Sequence, residues 1–173
     1  MNIKDQLLKE HSKANTKLIV NYISSSEELL SELMHCFFSN TYRVSQRSAM
    51  VVSYFFYLYP KMMEKYKKKI ILNLKEDGLE VAIKRNSLRI LQFQEIPENL
   101  TAPLFDCCLQ YLIDRKEPIA VKVFSMTILY NCCKKYYDLK SELIPLLENE
   151  LYHSKSKGIQ SRGRKVLAQL RKL

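Results

Sequence analysis

The sequence predicts an all-α fold: a short, right-handed α-solenoid (an α–α superhelix) of four or five antiparallel helix pairs. Apolar residues recur with a helical period along almost the whole chain. Three glycines and five prolines in 173 residues leave few sites for tight hairpins or phosphate-cradling loops. One short pattern also returns at nearly constant spacing, the signature of stacked repeats. A chain of this length is read as one domain, residues 1–173.

The elements follow from their start and stop signals. The first pair is expected at about 3–10 and 13–24. Ser25 and Glu28 have capping-box spacing ahead of ELLSELMHCFF, and Thr41 opens RVSQRSAMVVSYFFYLY. That helix should stop near Pro60, with the next one covering roughly residues 61–74. Asp77-Gly78 breaks the chain before a helix running to about Gln94. Pro97 and Pro118 are each placed for a first helical position, opening helices at 97–113 and from 118 onward. Asp138 is expected to cap a helix to about Tyr152, and Ser156 begins the last, to about Arg171. No segment alternates long enough to read as a strand.

The repeated pattern lies in four segments: VSQRSAMVV (44–52), VAIKRNSLR (81–89), IAVKVFSMT (119–127) and IQSRGRKVL (159–167). Each starts on an aliphatic residue and carries a cation at the fourth place: Arg47, Lys84, Lys122 and Arg162. The cations are 37, 38 and 40 residues apart. Lys122 stands out because its surroundings from Ile119 to Met126 are apolar or small. In stacked pairs the cations would form a column near the starts of the inner helices. Their stems would lie along the core and their heads would reach solvent or a carboxylate such as Glu80 or Glu117.

This spacing falls near the lower end of the HEAT and armadillo range, where each repeat is one antiparallel helix pair. The cation pattern, the block IAVKVFSMTILYNCCKKYYDLKSELIPLLENEL and the ending GIQSRGRKVLAQL resemble a group of small bacterial HEAT-like repeat proteins. The resemblance covers most of the chain, most clearly from about residue 78 onward, and implies the fold without naming a reaction. Members of that group are sometimes labelled adenylosuccinate lyase, but the glycine- and serine-rich signature loop of those lyases has no counterpart here. Helix pairing and cationic balance also look similar to HEAT-like alkylpurine DNA glycosylases. Their pocket relies on tryptophans beside a catalytic aspartate. This chain has no tryptophan and no aspartate in a matching motif, so no catalytic residue carries over.

The remaining chemistry is sparse. Five cysteines, with Cys107-Cys108 and Cys132-Cys133 adjacent, do not resemble a secreted disulfide framework and predict reduced thiols in a cytoplasmic protein. Vicinal cysteines on a helix diverge by about 100°, so core packing is expected rather than a metal site. The three histidines are isolated, and no P-loop, GxSxG or dinucleotide fingerprint is present. The cluster YFFYLY (54–59) is expected to pack between repeats rather than stack bases. The start MNIKDQLLKEHSK has no apolar signal region, and no stretch of about 20 residues is apolar enough to span a membrane.

Charge is the main functional signal. The net charge is +10. Seven cations and no acid lie from Lys155 to the end, and six lysines lie between Lys61 and Lys75. The expected role is a non-catalytic scaffold without cofactor whose concave face engages a protein or peptide. The alternative is non-specific nucleic-acid binding through a basic surface, for which Arg47, Lys84, Lys122, Arg162, Arg164 and Lys165 are the candidate residues.

Overall fold

The computed structural model describes residues 1–24, 26–39 and 41–173, and among these it is helical with no strand. The chain forms two compact units, Met1–Ile90 and Leu91–Leu173. The helices of the first are α1 (Ile3–Lys9), α2 (Lys13–Ile23), α3 (Glu27–Phe38), α4 (Tyr42–Leu58), α5 (Pro60–Met63), α6 (Lys67–Asn73) and α7 (Val81–Leu91). Those of the second are α8 (Glu98–Ile113), α9 (Ile119–Lys135), α10 (Lys140–His153) and α11 (Lys157–Leu170). None of these helices is long and apolar enough to cross a membrane.

In the first unit α4 is the hub, packed against α1, α2 and α3. Its buried stripe of Val44, Ala49, Val51, Val52, Phe55 and Phe56 closes on Ile3, Leu7, Ile19, Val20, Leu30, Leu33 and Phe37. Phe55 and Phe56 of the aromatic cluster are therefore core, whereas Tyr57 points out and is 81% exposed. Ser26 caps α3 by accepting from the Leu29 backbone N–H at 3.2 Å; Ser25, the expected cap, lies outside the described residues. Thr41 opens α4 through its carbonyl, which accepts from Ser45 N at 2.8 Å, and its side chain makes no cap bond.

The helix expected over 61–74 is divided. A 3-10 turn at Glu64–Tyr66 separates α5 from α6. Side chains three apart eclipse in a 3-10 turn, and here that brings Glu64 to 2.7 Å from Lys67, whose stem is buried. A lysine whose ammonium finds its carboxylate in the preceding turn can cover apolar surface with its methylenes. Gly78 then turns the chain at φ +69°, a conformation costly for any residue with a Cβ.

In the second unit α9 is the hub for α8, α10 and α11. Leu104, Cys108 and Leu112 of α8 meet Val121, Met126, Ile128, Leu129 and Cys133 of α9, with Leu143, Leu147, Ile159, Val166 and Leu170 completing the core. Pro97 and Pro118 are caps rather than first helical residues. Their ψ values of 142° and 150° are extended, and their carbonyls take the first helical N–H bonds, from Leu100 and Val121. Asp138 likewise falls in a 3-10 turn (Tyr137–Leu139) ahead of α10. Ser156 caps α11 as expected, its hydroxyl accepting from the Ile159 backbone N–H. Gly163 lets α11 approach α10 closely, since a Cβ there would lie 2.8 Å from Leu151 Cδ2.

Candidate interaction surfaces

Two of the four repeat cations, Arg47 and Lys122, share a chemical task. The last carbonyls of any helix lack an intrahelical donor, and the negative end of the helix dipole attracts cations. Lys122 Nζ donates to the Leu112 carbonyl in the last turn of α8 at 2.9 Å, and to Glu150 Oε1 of α10 at 2.9 Å. Arg47 Nη1 donates to the Leu7 carbonyl in the last turn of α1 at 2.9 Å. Neutral amides do the same elsewhere. Asn15 Nδ2 donates to the Gln6 and Glu10 carbonyls at the end of α1, and Gln160 Nε2 to those of Leu151 and Ser154 at the end of α10.

This arrangement withdraws Lys122 from the expected basic surface. Lys122 is 4% exposed, so its charge is spent inside the second unit and presents nothing to a partner. Its carboxylate comes from Glu150, on the helix that follows. Arg47, Lys84 and Arg162 are half-buried. The Arg162 guanidinium donates to the Thr127 hydroxyl on α9. Arg164 and Lys165 are exposed on α11 and, among the described residues, belong to no ion pair.

The lysine run between 61 and 75 is also partly committed. Lys65 pairs with Glu27 at 2.7 Å, Lys67 with Glu64, and the Lys69 ammonium sits 4.4 Å from the Phe38 ring centre. The hydrogen bond that Lys65 donates to Glu27 holds its ammonium above its ordinary pKa.

A cleft of about 550 Å³ opens in the second unit, between the irregular segment after α7 and the C-terminal half of α9. Leu91, Ile96, Ile128 and Cys132 give it apolar walls, while Gln92, Gln94, Thr101 and Asn131 give it polar ones. The Asn131 amide donates to the Gln92 carbonyl at 3.0 Å, tying the segment to α9. Phe93 stands at the lip, 79% exposed, and Lys134 and Lys135 are exposed beside it. Sequence reasoning missed this cleft. Its one legible sign was Phe93, an apolar residue in the polar stretch QFQE at a helix end.

The one thiol in the cleft, Cys132, is not a nucleophile at neutral pH. Burial, reinforced by the neighbouring Cys133, pushes the Cys132 thiol up to about 12, so it stays protonated at neutral pH. Burial raises the thiols of Cys36, Cys108 and Cys133 as well. None of the five cysteines is in a disulfide, and among the described residues no group of three or more His, Cys, Asp or Glu is placed to hold a metal ion.

Comparison with known proteins gives one match. The sequence model of the HEAT repeat domain family matches residues 3–170. No curated protein and no solved structure matches.

Proposed function

Because this chain belongs to the HEAT repeat domain family, we propose that it is a non-catalytic cytoplasmic scaffold, one repeat domain over residues 1–173, that holds a protein or peptide partner. The observation that carries this reading is the cleft beside α9. An apolar trough with a few polar groups and an exposed aromatic at its lip is the usual form of a pocket for a short segment. Phe93 is too exposed to contribute much to the core, so its large apolar surface is explained best by contact with a partner. Lys134 and Lys135 favour an occupant that sets a carboxylate close to an apolar side chain. Thiols rather than disulfides at all five cysteines agree with a reducing compartment.

Selection from a phage-displayed library of random peptides tests the reading. Wild-type protein is expected to enrich sequences that pair an aromatic or aliphatic residue with an acidic one. Phe93→Ala combined with Lys135→Glu should weaken those peptides more than tenfold without lowering the melting temperature. Absence of enrichment, or peptides indifferent to both substitutions, would remove the cleft as the binding site.

A further inference from the structure

The helix α11 carries a second surface, distinct in chemistry from the cleft. Lys157, Ser161, Arg164, Lys165 and Ala168 are exposed, as is Lys172 in the turn that follows. At 3.6 residues per turn these six positions fall within an arc of about 100°. Ile159, Gly163, Val166, Leu167 and Leu170 are buried on the opposite side. The four cations therefore form one outward stripe, spanning roughly 22 Å from Lys157 to Lys172 at 1.5 Å per residue. Between them stand only Ser161 and Ala168, which are uncharged and too small to hold a ligand away.

Of the three carboxylates on neighbouring α10, Glu148 accepts from Arg171 at 2.7 Å and Glu150 from Lys122, while Glu142, exposed in the first turn, is in no ion pair among the described residues. Lys157, Arg164, Lys165 and Lys172 have no ion-pair partner among the described residues. Four cations kept in water, in line and unpaired, repel one another by an amount that a counter-charged ligand relieves.

We infer that the outer stripe of α11, Lys157, Arg164, Lys165 and Lys172, is a docking surface for the phosphate backbone of nucleic acid. A polyphosphate supplies regularly spaced anions along a line as long as the stripe, and the line of cations needs no concavity to meet it. Arg162 is not part of it, because its guanidinium is held by Thr127. The proposed contacts go to phosphates, which carry no sequence information, so binding is indifferent to sequence. Four contacts on a duplex give a salt slope near −3.6, or roughly a 150-fold weakening between 50 and 200 mM salt. On a single strand the smaller coefficient lowers this to roughly 50-fold.

Fluorescence anisotropy of the full chain with a labelled 20-base-pair DNA duplex and a 20-nucleotide single-stranded RNA, at both salt concentrations, tests the inference. Saturable binding at 50 mM salt with one of these two salt slopes is expected, and the tighter probe identifies the source of the phosphates. Arg164→Glu with Lys165→Glu should weaken it at least 30-fold while circular dichroism and melting stay unchanged. Lys61→Glu with Lys68→Glu, on the other lysine run, and Phe93→Ala, in the cleft, should leave it unaltered. Undetectable binding at 50 mM salt would overturn the assignment. So would equal loss from the Lys61 and Lys68 reversals, or displacement of the duplex by poly-glutamate at matched charge, which would mark an acidic protein as the occupant.

Discussion

Arg47 and Lys122 sit in corresponding places in two 17-residue hub helices, one in each unit. Each donates to a carbonyl in the last turn of a neighbouring helix, yet only Lys122 is withdrawn from solvent. The difference lies in what else reaches the cation. Arg47 bonds the Leu7 carbonyl and stays only half-buried. A guanidinium tolerates this well, being weakly hydrated and rich in fixed donors. An ammonium is a compact, strongly hydrated charge, and burying it without an opposite charge would cost several kcal/mol. Glu150, arriving from α10, makes the burial of Lys122 tolerable. A cation inside an apolar helix is thus explained by a third element rather than by the helix that carries it.

Removing the cation tests this contrast most severely. Lys122→Met leaves Glu150, whose side chain is only 17% exposed, without its partner, and should cost about 4 kcal/mol in urea unfolding. A loss under about 1 kcal/mol would mean that Glu150 relaxes into solvent at little expense. Arg47→Met should cost about 1 kcal/mol, the value of one hydrogen bond at a half-exposed site. Equal losses at the two positions would erase the distinction. Replacing both partners, Lys122→Met with Glu150→Met, should return stability to within about 1 kcal/mol of the wild type, since an apolar pair of similar volume often matches a buried ion pair. A strongly non-additive cycle is the signature to look for. Smallest of all, Arg164→Glu with Lys165→Glu should shift stability by less than about 0.5 kcal/mol, as surface substitutions do.

Helix identity was legible in the sequence wherever a cap and a period agreed, as at Thr41, Ser156 and the turn at Gly78. The repeated cation was legible too, because its position recurs every 37 to 40 residues. Its partner was not. Glu150 lies 28 residues beyond Lys122, and nothing in local pattern distinguishes it from Glu117, which precedes the helix. The division of 61–74 escaped notice because a 3-10 turn preserves the apolar period while shifting it slightly. Charge runs were the least informative signal. The lysines near 65 and the cations of α11 look alike as text, but Lys65, Lys67 and Lys69 are engaged within their own unit. The cleft was hidden because it depends on how the segment after α7 lies along α9, a tertiary fact.

The Lys122 ammonium binds the end of α8 and the side of α10 while its stem belongs to α9. Three helices therefore share one proton donor group, and none of them can open alone without stranding it. Amide protons in the last turn of α8, the first turns of α9 and the stretch around Glu150 should then exchange with deuterium at one common rate, set by a joint opening of that block. In Lys122→Met the block should come apart, with the amides around Glu150 exchanging ahead of those in α9.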